Sequence, residues 1–445
     1  MTVLAFIIGI LVIVVGLAVS IALHEIGHLV PAKLFKVRVG QYMIGFGPTL
    51  WSKKFGETEY GFKAIPLGGY ISMAGMYPPT AGDAKTGKAG GGFFRTMVQD
   101  ARDANDETIG ADEDRVFYKL PTYKRIIIML GGPLMNLLFA GVLFTVILSG
   151  IGIQQSSNTI ATINECVIPA SSTQTECTPD DPASPAAAAG LKPGDTITAI
   201  DGKPVENFVE VSTIIRDNPG TELSFSILRP SSSGGEAEPL TLTVTPMLAQ
   251  RPAVDDKGNI VTNADGTTQM VDVGFVGFGP TQVLTPQPLS AGIEQTASNV
   301  GAVAGIMVEL PVKLYNTAVT LVTGGERDPN GPISVVGVGR IAGEVAAIDA
   351  PIATRVAGVL SLVASLNIAL FVFNLIPLLP LDGGHVVVAL WDAIKRGWAK
   401  LFRRPAPKPV DATKLVPLTF VVVIALVGMG ALLLIADIVN PVQLF

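Results

Sequence analysis

Four stretches of the chain are apolar almost without interruption: residues 2–23, 126–151, 356–379 and 415–438. Each is long enough to cross a bilayer as a helix, which takes roughly 20 residues. The first does not read as a signal peptide, because it has no basic n-region, exceeds an h-region in length and is followed by no A-x-A-like site. Between the apolar stretches the periodicity changes. Val37-Arg-Val-Gly-Gln-Tyr-Met-Ile-Gly-Phe-Gly-Pro and Tyr60-Gly-Phe-Lys-Ala-Ile-Pro-Leu-Gly-Gly-Tyr-Ile-Ser-Met are short β-prone runs broken by Gly and Pro, which predicts hairpins. Residues 80–114 are rich in Gly, Ala, Asp and Lys without periodicity and read as a flexible loop. Residues 184–246 alternate in β fashion around the turn signals Lys192-Pro193-Gly194-Asp195 and Asp201-Gly202. Residues 251–269 read as an irregular insertion. Residues 298–323 are apolar enough to suggest a fifth crossing, yet they carry Glu309, Pro311 and Lys313 near the middle, where charge is costly in lipid. They are expected to form an amphipathic helix on the membrane surface.

Composition agrees with the pattern. The apolar fraction is 49% and the charged fraction 15%, against about a quarter charged in soluble proteins. The net charge of −6 gives no case for nucleic-acid binding, which needs a concentrated basic face. Lys and Arg gather in the loop after the first stretch (Lys33, Lys36, Arg38, Lys53, Lys54 and on to Arg125) and in the loop before the last (Lys395, Arg396, Lys400, Arg403, Arg404). By the positive-inside rule both loops are cytoplasmic, and both termini and the large middle segment lie outside. Cys166 and Cys177 fall in that outer segment. An oxidising compartment permits a disulfide between them, and sequence alone leaves their pairing open.

The chemistry gathers at the ends of two apolar stretches. Ala22-Leu-His24-Glu25-Ile-Gly-His28 closes the first. Residues i and i+4 share a helix face, so two imidazoles can reach one Zn2+ while Glu25 works on water. A pair of helix-end histidines facing headgroups is the bland alternative. It weakens because ionisable residues in an apolar span are usually functional, and because the three histidines of the chain all fall either in this motif or in the segment 374–385. A third ligand is needed for catalytic zinc. Glu57 or Glu59 would serve in a soluble enzyme. The better candidate is Asp382, in Asn374-Leu-Ile-Pro377-Leu-Leu-Pro380-Leu381-Asp382-Gly383-Gly384-His385. There Pro377 and Pro380 break the helix, Gly383 and Gly384 allow tight turns, and a carboxylate at membrane depth needs a cation. A solvated helix cap is the alternative for Asp382.

His24-Glu25-x-x-His28 on a first span and Leu381-Asp382-Gly383 on a later one resemble the site-2 protease family of intramembrane zinc metalloproteases. Gly131-Gly132-Pro133-Leu-Met-Asn136 is similar to the family's G-P-x-x-N signature, Asn367 and Asn374 to the asparagines before its L-D-G, and Gly68-Gly69-Tyr70-Ile71-x-Met73 to its membrane-associated β-hairpin region. Ala189-Gly190-Leu191-x-Pro193-Gly194-Asp195 resembles a PDZ domain, and Gly331-Pro332-Ile333-Ser334 the stretch before the third span. The resemblance covers about three quarters of the length and implies Zn2+ held by His24, His28 and Asp382, with Glu25 as the catalytic base. It also implies a multi-pass α-helical membrane protein of the plasma membrane with four transmembrane helices, membrane-associated β-hairpins and an inserted extracytoplasmic α+β PDZ domain. The expected parts are an N-terminal membrane half (1–150), the PDZ domain (184–246), an amphipathic membrane-surface segment (286–350) and a C-terminal membrane half (351–445).

The implied partners are the lipid bilayer, a single-pass membrane substrate such as an anti-sigma factor or a remnant signal peptide, and a peptide or protein ligand of the PDZ domain. That domain has a second reading as a size filter. Asn374 offers an amide to orient substrate or to stabilise the oxyanion. Interhelical hydrogen bonding is the alternative, and it is favoured for Asn136 and Asn367. His385 reads as a donor behind the metal ligands or as a plain interfacial histidine. The 60–73 strands read as a template for an unwound substrate or as a self-contained hairpin. Two rival functions remain. A membrane-anchored PDZ adaptor would carry structural zinc, and a secondary transporter would use broken helices but is expected to show an internal repeat.

Overall fold

A computed structural model describes residues 2–76, 78, 98, 114–168, 174, 176–179, 181–231, 235–254, 260–263, 267–329, 331–405, 407–410 and 412–442. Almost all of the loop expected at 80–114 lies outside these residues. The chain divides into two compact units, Met1–Ile151 with Gln287–Phe445, and Gly152–Pro286.

The first unit is helical around one small sheet. Its helices are α1 (Thr2–Leu34), α2 (Thr122–Thr145, continued by a π-helical turn at Val146–Ile151), α5 (Leu289–Thr323), α6 (Val335–Ala347), α7 (Ile352–Asn374), α8 (Asp382–Leu401) and α9 (Val416–Val439). Lipid is as apolar as Leu, so helices in it associate through close packing of small residues and polar ties. Gly9 of α1 lies against the backbone of Ala342 in α6, and Gly16 against Val363 of α7. Gly27 of α1 and Gly131 of α2 touch backbone to backbone, so a Cβ on either would collide with the other's carbonyl. Ile13, Val338, Ala342, Val359 and Val363 fill the space where α1, α6 and α7 meet.

Several boundaries differ from expectation. The first span was expected to end at residue 23, but α1 runs to Leu34 with Pro31 inside it. The His-Glu motif is therefore held within regular helix, not at its frayed end. The third span was expected to reach 379, but α7 stops at Asn374 and a chain of turns leads to α8. The stretch expected to lie on the membrane begins earlier and forms a continuous helix of 35 residues. It packs Val300 and Val303 beside Ala140 and Phe144 of α2 and Ala364 and Ile368 of α7. Among the described residues five helices, one more than expected, are thus long and apolar enough to cross a membrane.

Strands β1 (Val39–Phe55) and β2 (Thr58–Met73) both bend, and the two expected hairpins become one sheet. Residues 51–55 pair with 58–62, residues 59–62 also pair with 41–44, and 41–44 pair on their other side with 69–72. Val39, Tyr42 and Met73 pack on Leu29 and Ala32 of α1 and on Ile128 and Met129 of α2. This packing sets the 69–72 edge beside Glu25, since a Cβ on Gly69 would come within 2.9 Å of the Glu25 Cγ.

The second unit is wider than the 184–246 expected, because flanking strands complete its sheet. The elements are β3 (Ile153–Ile163), α3 (Pro185–Ala188), β4 (Thr196–Ile200), β5 (Lys203–Pro204), α4 (Phe208–Asp217), β6 (Leu223–Arg229), β7 (Glu238–Val244), β8 (Met247–Pro252), β9 (Met270–Phe275) and β10 (Phe278–Thr285). The sheet order is β10-β3-β4-β6-β7, with β5 on β4. Ile160, Ile197, Ile200, Val211, Phe225 and Ile227 form the centre of its core. The segment read as an irregular insertion forms, at its described ends, a hairpin of β8 with β9. Cys166 and Cys177 are joined as a disulfide.

The Lys192-Pro193-Gly194-Asp195 turn is closed by charge. Buried Asp195 accepts from the Arg229 Nε and Nη2, each at 2.8 Å, and from the Lys192 backbone N–H at 2.8 Å. Burial alone would raise this carboxyl, but the bonds from Arg229 and Lys192 outweigh it and hold the group below its ordinary value of 3.8. A depressed carboxylate stabilises the fold above its unfolded value, and that contribution is lost as pH falls through the folded value. Asp195→Asn is therefore expected to cost about 1–3 kcal/mol at pH 7, read by thermal unfolding of the intact chain. The gap from wild type should narrow below pH 3.8. An equal gap at both pH values would remove the charged pair as its cause.

Candidate metal centre

His24 and His28 lie one turn apart on α1. The His28 Nδ1 faces the Ile128 carbonyl of α2 at 2.7 Å. A carbonyl only accepts, so Nδ1 carries the proton and Nε2 is left with a lone pair. The His24 Nδ1 lies 3.2 Å from the terminal amide of Asn136 on α2. As placed, the amide nitrogen faces the ring while Asn136 Oδ1 is buried without a partner. Amide O and N are assigned from the hydrogen-bond network. Exchanging them lets His24 Nδ1–H donate to Asn136 Oδ1 and leaves the His24 Nε2 lone pair free.

Asp382 brings the third donor from a distant part of the chain. It is the first residue of α8, where the helix dipole favours a negative charge. Gly383 and Gly384 do not make the turn expected of them and lie in the first turn of α8. They are needed for close approach. A Cβ at 383 would strike the carbonyls of Leu375 and Ile376, and one at 384 would come within 2.6 Å of the Leu378–Leu379 backbone.

The three donor atoms form a nearly equilateral triangle. His24 Nε2 to His28 Nε2 is 3.2 Å, His24 Nε2 to Asp382 Oδ2 is 3.3 Å and His28 Nε2 to Asp382 Oδ2 is 3.4 Å. Two imidazole lone pairs and a carboxylate oxygen thus converge, and Asp382 Oδ2 is buried without a hydrogen-bond partner. Such an array of acceptors is repulsive until a cation joins it. Zinc fits: with N and O ligands at about 2.0–2.1 Å, a tetrahedral site has edges of about 3.3–3.4 Å. Gly132 leaves the space beside the triangle open, since a Cβ there would come within 2.8 Å of His24 Nε2 and 2.6 Å of His28 Cε1. Among the described residues no other group of three or more His, Cys, Asp or Glu side chains converges in this way.

Glu25 points from the same turn of α1 but is not one of the three donors, and it is buried against the sheet. Burial, followed by the nearby Glu25 charge, pushes the Tyr42 phenol up to about 12. Tyr42 therefore stays protonated and donates to the Ala22 carbonyl at 2.9 Å. Glu57 is held at two points by Arg115, each at 2.7 Å, and Glu59 accepts from Ser52 and Gln41. Neither joins the triangle.

The remaining candidates separate. Asn136 is fully buried beside His24. Asn367, also fully buried, donates to Ser20 Oγ of α1 and to the Val363 carbonyl, both at 2.8 Å, as an interhelical tie. Asn374 donates to the Leu370 carbonyl at 3.0 Å. His385 lines a small cavity with Arg125 and Asp392. That ion pair is buried, with Arg125 Nη1 3.0 Å from Asp392 Oδ2, and it fastens α8 to α2. Sequence reasoning missed the parts played by Gly132, Gly69 and the Ile128 carbonyl. Gly132 and Gly69 left a trace, each as the second glycine of a pair, Gly131-Gly132 and Gly68-Gly69.

Comparison with known proteins points the same way. The profile of peptidase family M50 matches residues 12–404. The chain is similar to zinc metalloprotease Rip1 of Mycobacterium tuberculosis strain H37Rv, at 33% identity over 99% of both chains. It is similar to the Rip1 of Mycolicibacterium smegmatis at 33% identity over 98% of this chain and 99% of that one. It also resembles metalloprotease MmpA of Caulobacter vibrioides, at 26% identity over 87% and 88%.

Proposed function

Because the chain belongs to peptidase family M50, the site-2 proteases, and is an intramembrane zinc metalloprotease, we propose that His24, His28 and Asp382 hold its zinc and that Glu25 is its catalytic base. The triangle of three donors around a space that Gly132 leaves open carries this reading. Zinc bound there polarises the scissile carbonyl and makes water more acidic. Glu25 takes the proton of the attacking water and passes it to the leaving amine nitrogen. Its buried position next to the 69–72 edge keeps it beside the peptide being cut. Asn136 orients His24, and the Ile128 carbonyl orients His28. Asn374, on the last turn of α7, is left to orient substrate, while Asn367 serves structure.

A helical substrate has its carbonyls in hydrogen bonds and must unwind before water can attack. Among the described residues no strand pairs with the outer side of 69–72, and an unwound substrate can add there as a strand. The substrates are single-pass membrane proteins already trimmed outside, with an anti-sigma factor and remnant signal peptides as the proposed classes. The Gly152–Pro286 unit is a PDZ domain on the outer side, where it binds a peptide or filters substrates by size.

Four crossings are proposed, with α5 beside the membrane core. His24 and Asp382 meet at one point, so α1 and α7 end on the same side. A crossing by α5 would need another by α6, and a helix of 13 residues is about 20 Å long, too short for the roughly 30 Å hydrocarbon core. Both termini then lie outside and the metal centre near the cytoplasmic side of the plasma membrane. A membrane-anchored adaptor with structural zinc would use four protein ligands, and the group at this site offers three.

The test is cleavage of a model single-pass substrate by purified protein of measured zinc content. Cleavage that follows zinc content is expected, and full zinc without cleavage would return the adaptor. Asn136→Leu removes the acceptor behind His24 and is expected to weaken zinc binding roughly 10–100-fold, measured by competition with a chelating dye. Unchanged affinity would make Asn136 a packing residue only.

A further inference from the structure

We propose that α8 is an interfacial anchor that binds anionic lipid headgroups, and so fixes the depth of the metal centre at the membrane surface. The proposal rests on the cytoplasmic placement proposed for that centre. α8 runs from the turns after α7 towards α9 and carries Asp382 at its first position. Leu390, Trp391, Ile394, Trp398 and Leu401 form one stripe along it, continued by Phe402, and each is between 45% and 74% exposed. That is a large apolar face for the surface of a protein. The rings of Trp398 and Phe402 lie 4.7 Å apart, and aromatic side chains concentrate where headgroups meet acyl chains.

Charge identifies the occupant. Between 393 and 410 the chain carries Lys395, Arg396, Lys400, Arg403, Arg404 and Lys408 and no acid. Asp392, the last acid before this run, is buried and engaged with Arg125, with Lys395 of the run itself and with the Val410 N–H. Lys400, Arg403 and Arg404 are exposed. An apolar stripe flanked by basic side chains is the pattern of a helix lying in an anionic interface. Its inner face is fastened to α2 through Arg125 and Asp392, so what holds α8 at the lipid surface also holds Asp382 against His24 and His28.

Two of the chain's three tryptophans, Trp391 and Trp398, lie on this stripe, which supplies the readout. The intact protein with Trp51→Phe is reconstituted into vesicles of equal parts phosphatidylcholine and phosphatidylglycerol, with brominated acyl chains on one lipid or the other. Both brominated lipids are expected to quench the fluorescence, the phosphatidylglycerol about twofold more, since one basic side chain enriches anionic lipid by roughly fivefold. Lys400→Gln with Arg403→Gln and Arg404→Gln should narrow the difference, leaving Arg396 and Lys408 to sustain the remainder, and keep the quenching. Absence of quenching would mean that protein covers the stripe, a second copy of the chain included, and would overturn the proposal. Equal quenching by both lipids, or a difference that the triple substitution leaves unchanged, would overturn headgroup binding. None of these readings depends on cleavage, so their failure leaves the protease assignment untouched.

Discussion

Glu25→Gln is expected to keep its zinc and lose cleavage by roughly 10²–10⁴-fold, the usual scale of a general base. Glutamine matches glutamate in shape and fills the same buried position against Gly69. It cannot take a proton from water. Glu25 is outside the triangle formed by His24, His28 and Asp382, so the substitution leaves the metal donors in place. Zinc per chain and turnover of a single-pass substrate are measured on the same preparation. Normal turnover would remove Glu25 from the mechanism, and loss of zinc would make it a ligand.

Asp382→Ala is expected to lower zinc affinity by more than about 100-fold, beyond the effect of removing a supporting partner, with activity lost in proportion. Two neutral imidazoles then remain where two imidazoles and a charge stood. The helix carrying residue 382 should stay in place, because Arg125 and Asp392 still tie it to α2. Thermal stability of the zinc-free variant should therefore be no lower than that of zinc-free wild type. Full zinc occupancy after dialysis would show that another group completes the site.

The site was legible where its chemistry is written in local spacing. His24 and His28 declare a shared face through the helical period, and Asp382 stands out as a carboxylate among prolines, glycines and apolar residues. The β-rich outer segment showed itself by alternation and turn signals, but its boundaries did not, because β3 and β10 close the sheet from 115 or more residues apart in the chain. Close approach was not legible. Gly27 and Gly131 look like helix-weakening residues until two backbones are seen to touch there. Gly132 keeps open the space beside donors carried by other helices, and Gly383 and Gly384 signalled turns where they serve contact. The length of α1 was misjudged because Gly27, Pro31 and the His-Glu motif imitate a helix end, while packing against α2 and the sheet keeps the helix intact to Leu34.

Zinc K-edge X-ray absorption on the intact protein tests the metal centre most directly. The expected spectrum has one zinc environment of N and O donors, with scattering from two imidazoles and no sulfur, and with one imidazole lost in His28→Ala. A spectrum that needs a third imidazole, which only His385 could provide, or a protein that binds no zinc, would contradict the convergence of His24, His28 and Asp382 on a single ion.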